Sequence, residues 1–290
     1  MSVIWGIPYL FIRIAVGELS PPTLVFFRTA FAALIFLPFV FARGGLRAVG
    51  GRWVALVAFA AAEVALPWLF LSSAEQHISS ALAGLLISAV PMVGVVIVTS
   101  LGNREHLNAM TLSGLAIGIV GVALIVGLDL HASQPLALIE MAGVVVCYAL
   151  GPVILSRYLT GIPGVTVNGL ALAMTAIVYS PLAALNWPHV VPGVAVIASV
   201  AVLVLVCTVL GFMLFIALIG EIGPVRALVI TYVNPAVAAI LGVFVLRERL
   251  TWAMGLGFVL VLAGSVLSTR RRSAPEAARR APEARRGEAV

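Results

Sequence analysis

Long apolar runs follow one another through almost the whole of this sequence, and they limit what it can fold into. A helix needs about 20 apolar residues to cross the hydrocarbon core of a bilayer. Short polar breaks separate ten runs of roughly that length, near residues 2–17, 23–41, 53–72, 78–100, 109–128, 136–157, 164–185, 193–219, 224–246 and 252–268. The sequence therefore predicts ten membrane-spanning segments.

Composition supports a membrane protein. Hydrophobic residues make up 62% of the 290 residues and charged residues 10%, whereas a soluble domain is nearer half apolar and about a quarter charged. Charges this sparse cannot cover a water-facing surface, which argues against a soluble enzyme, a disordered chain and a nucleic-acid-binding protein. We expect the lipid bilayer to be a main partner of the chain, and no nucleic acid to bind.

The spans are expected to be helices, which makes the fold an all-α polytopic membrane protein. The runs are continuous, whereas the strands of a membrane barrel alternate in polarity over about ten residues. The first run opens beside Met1 without the basic segment of a cleavable signal, and we expect it to form a short span. Cys147 and Cys207 fall inside runs and are expected to be buried.

The distribution of arginine predicts the orientation. Counted from the N-terminus, the odd-numbered breaks hold only Arg247 and Arg249, while the even-numbered breaks and the tail hold most of the others. Because cytoplasmic segments carry the excess of basic residues, both termini are predicted to be cytoplasmic in the cell inner (plasma) membrane. The tail, 270–290, is expected to be disordered and to bind anionic lipid. The arginines of the even-numbered breaks are Arg43, Arg47, Arg52, Arg104 and Arg157.

An internal repeat divides the chain into two halves. Residues Pro91, Arg104, Glu105, Leu107, Gly114 and Gly121 recur as Pro235, Arg247, Glu248, Leu250, Gly257 and Gly264. Five spans per half is an odd number, so the second copy would be inverted in the membrane, as in many secondary transporters. The predicted domains are a first five-helix repeat (1–130), an inverted second repeat (131–269) and the basic tail (270–290).

The repeated pattern resembles the EamA-type family of the drug/metabolite transporter superfamily. A proline in the fourth span, then Arg-Glu-x-Leu, then a glycine-rich fifth span occur twice, and Trp5-Gly6 and the run from Ala74 to Ala81 also resemble that family. The resemblance covers residues 1–268 and is specific for the family rather than for a substrate. It implies ten helices in two inverted repeats and export of amino acids, other metabolites or drugs, while related branches carry nucleotide-sugars.

Ionisable residues inside spans are costly, which makes them candidate functional groups. Glu63 lies near the middle of the third run and is the only carboxylate clearly deep in the body. It would pair with a substrate ammonium or titrate with a coupled proton, or else be a structural partner of Arg13 or Arg28. Arg13 would bind a substrate carboxylate or extend to the outer interface. Arg28 is interpreted as part of a structural ion pair.

Prolines and aromatic residues mark a candidate substrate site. Prolines inside spans free backbone carbonyls that line cavities in transporters, and nearby aromatic rings would hold an ammonium by cation–π contact or form an interfacial belt. The prolines are Pro8, Pro67, Pro91, Pro152 and Pro235. Asn234 is the favoured polar ligand from the second half. The candidate substrate-binding residues are Glu63, Asn234, Tyr232, Trp68, Tyr9, Trp5, Tyr148, Ser88 and Arg13.

Two further motifs have a structural interpretation. Glu105 and Glu248 sit where the fifth and tenth spans begin, and we expect them to cap helices. The motifs Gly114-x-x-x-Gly118 and Ala253-x-x-x-Gly257 predict close helix contacts. These contacts are expected within one protomer, and a homodimer stays open as an alternative.

The sequence favours a transporter over an enzyme. It contains no His-Glu-x-x-His, P-loop or Gly-x-Ser-x-Gly motif, and we expect no metal and no cofactor. The predicted function is export of small metabolites, either amino acids or amphipathic, cationic drug-like compounds, by alternating access, with proton coupling left open. The alternatives are a nucleotide-sugar or lipid-linked phosphate carrier, a membrane enzyme and a non-transporting assembly partner. A cytoplasm-facing pocket ending near Glu63 and Asn234 would favour transport, and a packed core would favour the assembly partner.

Overall fold

The computed structural model describes residues 1–42, 44–101, 109–127, 135–222 and 230–269. All regular elements in this part of the chain are helices, as the continuous apolar runs predict. Their bounds are α1 (Ser2–Gly6), α2 (Pro8–Ala15), α3 (Pro21–Ala42), α4 (Gly45–Val49), α5 (Trp53–Ala60), α6 (Leu66–Ala74), α7 (Ser80–Ile87), α8 (Val90–Ser100), α9 (Ala109–Gly127), α10 (Pro135–Tyr158), α11 (Gly164–Leu185), α12 (Val194–Val202), α13 (Gly211–Ile222), α14 (Ile230–Phe244) and α15 (Trp252–Thr269).

Eight helical stretches in the described residues are long and apolar enough to cross a membrane. The first and ninth predicted spans correspond to shorter apolar helices, Ser2–Ala15 and Val233–Phe244. The first is short because the helix is interrupted at Ile7, between α1 and the proline that opens α2. The ninth predicted span includes 224–229, which lie outside the described residues.

Two of the long stretches contain a segment of π-helix. Ala61–Ala65 joins α5 to α6 and is called here the first π segment, and Leu203–Leu210 joins α12 to α13 and is called the second π segment. In a π-helix the backbone hydrogen bonds join residues five apart instead of four, so its backbone N–H and C=O groups leave the α-helical pattern. Such segments are frequent at functional sites. Both segments are flanked by uninterrupted α-helix, so the chain passes through them without a loop.

The polar breaks meet at two opposite ends of the helices. At one end, called the Glu75 end, the hydroxyl of Thr23 donates to the carbonyl of Asn186 at 3.1 Å. The amide of Gly193 donates to Glu18 Oε2 there, at 2.7 Å. At the other end, called the Arg52 end, Arg52 Nη1 donates to the carbonyl of Thr160 at 2.7 Å. Breaks predicted on the same side of the membrane are therefore in contact.

Helices from the two halves of the chain pack directly on each other. The main pairs are α3 with α11, α9 with α15, α7 with α14, α6 with α10, and α2 with α12. Two hydrophobic clusters result, and Tyr148 packs against both. Large apolar side chains such as Phe31, Leu34 and Val54 are exposed, which suits a surface that faces lipid.

Close backbone contact joins α9 to α15. A Cβ at Gly264 would lie 2.5 Å from the carbonyl oxygen of Gly114, and a Cβ at Gly121 would lie 2.7 Å from that of Gly257. Only glycine fits at these positions, because the obstructing atoms belong to the backbone. The predicted small-residue contacts thus lie inside one chain.

Glu248 caps a different helix from the one expected. Its Oε1 accepts from the amide of Ser80 at 2.8 Å, and its Oε2 accepts from the amide of Ala81 at 2.9 Å and from the hydroxyl of Ser80 at 3.1 Å. The cap is therefore on α7, in the other half of the chain, rather than on the tenth span. Arg247, with φ 55°, lies in the turn that brings the carboxylate there. Glu105 lies outside the described residues.

Candidate functional site

A buried arginine, Arg28, lies on α3. Its side chain is only 8% exposed. The guanidinium carbon lies 3.6 Å from the centre of the Trp68 ring, which is a cation–π contact. Its Nε donates to the hydroxyl of Thr208 at 3.0 Å. Arg28 was expected to be ion-paired, but its described contacts are with an aromatic ring and a hydroxyl.

The second π segment supplies the groups that meet Arg28 and Trp5. The hydroxyl of Thr208 donates to the carbonyl of Leu203, five residues earlier, at 2.8 Å. The carbonyl of Cys207 accepts from the indole of Trp5 at 3.2 Å. Trp5 also packs on the ring of Phe215, with centroids 4.7 Å apart. The irregular backbone therefore turns a hydroxyl and a carbonyl toward the helices around it.

The first π segment carries Glu63. Its side chain is half-buried, and its Oε2 is buried without a hydrogen-bond partner among the described residues. The carboxylate lies directly against Gly151 of α10, where a Cβ would overlap it. Neither Arg13 nor Arg28, the two partners considered from the sequence, is found on that oxygen. Glu63 is thus a buried acceptor with spare capacity, as a ligand-binding carboxylate would be.

Tyr148 lies on α10, one turn before Gly151. Its hydroxyl is hydrogen-bonded to Trp68 and is within electrostatic range of Glu63 and Arg28. Tyr9, on α2, completes this group as a neighbour of Tyr148 and Arg28 and is 6% exposed. Five of the nine predicted residues therefore gather around the two π segments: Trp5, Tyr9, Glu63, Trp68 and Tyr148.

The other predicted residues lie elsewhere or are only partly described. Arg13 Nη1 donates to the backbone carbonyl of Glu75, at the Glu75 end. The hydroxyl of Ser88 donates to the carbonyl of Leu85, and its own carbonyl accepts from Ser265 at 3.1 Å. Asn234 places its backbone oxygen 2.9 Å from where a Cβ on Gly6 would be, so α14 touches α1 near Trp5. The side chain of Tyr232 lies outside the described part.

Sequence reasoning missed two acidic residues. Glu75 was assigned to a water-facing break but is 0% exposed, although Gln76 and His77, which follow it, are exposed. Glu140, on α10, accepts from the hydroxyl of Ser73 at 2.7 Å, and its other oxygen is buried. The run from Ala74 to Ala81, noticed only as a family resemblance, contains Glu75. This family resemblance was therefore the one feature of the sequence that pointed to Glu75.

The cleft found in the described residues does not lie at the pocket expected near Glu63 and Asn234. Trp68 and Tyr9 are both buried, at 5% and 6% exposed. A cleft of about 580 Å³ opens instead at the Glu75 end, beside Glu18, Ser20 and residues 185–192. None of the nine predicted site residues lines that cleft.

Comparison with known proteins decides the class. The model of the EamA-like transporter family matches residues 1–127 and 135–270, which is nearly all of the chain outside the tail. The chain belongs to the EamA-like transporter family. This family is part of the drug/metabolite transporter superfamily, so the protein is a multi-pass membrane transporter.

Individual relatives agree with the family. Two proteins of Archaeoglobus fulgidus, each described as an uncharacterized transporter, are 25% identical to this EamA-like chain. One matches over 280 residues, 92% of this chain and 94% of the relative, and the other over 270 residues, 92% and 95%. A solved crystal structure superposes with a TM-score of 0.65 at 22% identity, covering 92% of this chain and 94% of the other. That likeness supports the fold of this EamA-like chain alone.

Proposed function

We propose that the protein is a secondary transporter that moves small metabolites by alternating access, with a substrate site between the two π segments. The observation that carries this proposal is the group formed by the buried Arg28 and Trp68 and the half-buried Tyr148 and Glu63. It combines a cation, two aromatic rings and an incompletely bonded carboxylate at the place where helices of both halves meet. Such groups are retained inside membrane proteins where they serve a substrate or ion.

The pairing of the helices supports two inverted five-helix repeats, 1–130 and 131–269. At the sequence offset of about 143, α3 corresponds to α11 and α9 to α15, and both pairs are in contact. At the same offset α8 corresponds to α14, and α10 corresponds to α1 and α2. The contact of α10 with α8 therefore has its counterpart in the contacts of α14 with α1 and α2. In this proposal the two shorter apolar helices complete ten spans.

The two halves differ in conformation at matching prolines. Pro8 and Pro91 each open a new helix after a break, whereas their counterparts Pro152 and Pro235 lie inside the continuous helices α10 and α14. Alternating access in inverted-repeat transporters exchanges the conformations of the two halves. The difference supports the proposal, since it supplies two distinct conformations of one repeat.

The substrate class follows from the groups present. Glu63 would accept hydrogen bonds from an ammonium group of the substrate. The rings of Trp5, Tyr148 and Trp68 would contact the ammonium group and the apolar part of the substrate. We therefore propose amino acids or amphipathic, cationic compounds as substrates, exported across the inner (plasma) membrane with both termini cytoplasmic. A nucleotide-sugar or lipid-linked phosphate would need several cations, and Arg28 is the one that this group of described residues supplies.

Reconstituted protein tests the proposal. Proteoliposomes containing wild-type protein, Glu63→Gln or the control Glu140→Gln would be offered a labelled pool of amino acids, amphipathic cations and nucleotide-sugars, with and without a pH gradient. A hydrogen bond to a buried charge is worth about 1.5–3 kcal/mol, so Glu63→Gln should slow movement about tenfold or more. Glu140→Gln should leave movement unchanged, because Ser73 can donate to an amide oxygen as well.

Two results would contradict the proposal. Equal rates for the wild type and Glu63→Gln would remove Glu63 from the substrate site. Movement of nucleotide-sugars alone would replace the substrate class, and no movement of any compound above that of empty vesicles would favour an assembly role.

A further inference from the structure

Glu75 is a buried acid that the proposed substrate site does not use. It follows the last residue of α6, and its side chain is 0% exposed. Neither carboxyl oxygen has a hydrogen-bond partner among the described residues. An ionised carboxylate in such a place costs several kcal/mol. The packed arrangement therefore favours the neutral, protonated carboxyl.

Charged and titratable groups from three elements lie near Glu75. Glu248 approaches from the turn between α14 and α15, Arg13 and Tyr9 from α2, and Arg28 from α3. The backbone carbonyl of Glu75 also accepts from Arg13 Nη1. Burial raises the pKa of the Glu75 carboxyl well above its usual range, the neighbouring Glu248 raises it further, and Arg13 and Arg28 oppose both effects.

Glu248 links Glu75 to the contact between the two halves. It belongs to the second half but binds the amides of Ser80 and Ala81 at the start of α7, in the first half. Two carboxylates side by side repel each other when both are ionised. A charge on Glu75 therefore acts directly on the carboxylate that fastens α7, whereas a proton on Glu75 removes that repulsion.

We propose that Glu75 is a proton-binding site, separate from Glu63, whose protonation keeps the Glu75 end packed and whose deprotonation releases the contact between Glu248 and α7. In the release step the O–H bond of the Glu75 carboxyl breaks, its electron pair stays on the carboxylate, and the proton passes to water at the opened end. This inference rests on the proposed alternating access, in which the two ends of the protein open in turn. It places the proton-sensitive contact at the Glu75 end.

The sign of the pH dependence follows from proton counting. The packed state binds one proton more than the opened state, so raising the pH favours opening. The equilibrium between the packed and opened states begins to shift near the pKa of a hydrated glutamate, about 4.3. The shift is complete at the raised pKa that Glu75 has in the packed state. For a single proton the ratio of packed to opened molecules changes about tenfold per pH unit within that window.

Spin-label distances would follow this equilibrium without any substrate. Gln76→Cys and Thr251→Cys place labels at two exposed positions that flank the contact between Glu248 and α7, in protein whose Cys147 and Cys207 are replaced by alanine. In nanodiscs, the wild type should show a short and a long distance whose ratio follows pH with the one-proton slope. Glu75→Gln should keep the short distance at every pH, and Glu140→Gln should titrate like the wild type.

Infrared spectroscopy supplies a second readout on the wild type. The difference spectrum between acidic and alkaline samples should contain the carbonyl band of a protonated carboxyl group that Glu75→Gln lacks and Glu140→Gln retains. The inference is overturned if the wild-type distances do not change with pH, or if Glu75→Gln titrates as the wild type does. Should Glu75→Gln fail to fold, the wild-type distances alone decide.

Transport distinguishes this inference from the proposed function. Glu75→Gln should still move substrate downhill but lose its acceleration by a pH gradient, whereas Glu63→Gln should lose movement itself. A pH-dependent distance in a protein that moves nothing would leave the proton site standing without the transport function. Movement that responds to pH equally in Glu75→Gln and the wild type would count against the proton site only.

Discussion

At the scale of single residues, Arg28 shows how a buried charge is held without a carboxylate among its described contacts. The Trp68 ring and the Thr208 hydroxyl contact its guanidinium, contributing about 0.5–2 kcal/mol for the cation–π contact and about 1.5–3 kcal/mol for the hydrogen bond. The cost of removing the charge from water is also several kcal/mol. These terms offset each other, so stability alone does not explain why an arginine is present.

Replacing Arg28 by methionine separates function from stability. Methionine fills similar space without the desolvation cost, so we expect the unfolding midpoint of Arg28→Met to equal or exceed that of the wild type, while substrate movement falls at least about tenfold. Thermal unfolding in detergent and movement in proteoliposomes measure the two effects. A midpoint lowered by many degrees with movement retained would make Arg28 structural.

The sequence identifies some residues of the proposed sites and not others for a physical reason. Glu63 is recognisable because a carboxylate in the middle of an apolar run must lie inside the membrane-spanning part of the chain. Glu75 follows two serines in a polar break, so local pattern assigns it to the surface. In the structure it lies close to Glu248 and Arg13, which come from distant parts of the chain. Contacts of that kind have no signature in the sequence around Glu75.

At the scale of helices, the two π segments decide which backbone groups face the proposed substrate site. The carbonyl of Cys207 and the hydroxyl of Thr208 are available to Trp5 and Arg28 because the second π segment disrupts the regular pattern. Its sequence, Leu203 to Leu210, is nearly all apolar and resembles the rest of its run. The helix is therefore predictable from the sequence, whereas the position of its irregular turn is not.

The packing of α9 on α15 gives a sharp stability prediction. A Cβ at Gly264 would lie 2.5 Å from the carbonyl of Gly114 and 2.6 Å from the amide of Gly118, so Gly264→Ala should destabilise the fold by about 1–3 kcal/mol. Gly255, on the same helix, has nothing within 4 Å. Gly255→Ala should therefore leave stability unchanged or raise it by up to about 1 kcal/mol.

Thermal unfolding of the two glycine variants in the same lipid–detergent mixture measures this difference. The prediction is a lower midpoint for Gly264→Ala and an unchanged or higher one for Gly255→Ala. Equal midpoints would mean that α9 and α15 separate readily.

At the scale of the whole molecule, the apolar runs predicted that the described elements are helices, whereas the two inverted repeats stay a prediction. The predicted small-residue motifs lie where α9 meets α15. The sequence did not indicate that Pro8 and Pro91 interrupt helices while Pro152 and Pro235 do not. Matching prolines have the same local chemistry, so only the packing around each half determines which of them sits at a break.

Membrane orientation is a prediction at this scale. With both termini cytoplasmic, the Arg52 end faces the cytoplasm and the Glu75 end faces outward. In protein whose Cys147 and Cys207 are replaced by alanine, Val190→Cys should react with a membrane-impermeant maleimide added to intact cells. Gly51→Cys should react only after permeabilisation. Both positions are exposed, and the opposite labelling pattern would invert the orientation.

Alternating access is tested most directly by fastening each end in turn. A reducible bifunctional thiol reagent would join Gln76→Cys to Thr251→Cys at the Glu75 end, or Arg52→Cys to Thr160→Cys at the Arg52 end, in proteoliposomes that move a labelled substrate. If the two ends must open alternately, either cross-link stops movement, reduction restores it, and the single-cysteine proteins are unaffected by the reagent. Movement that continues at the normal rate with either end fastened would contradict transport by alternating access.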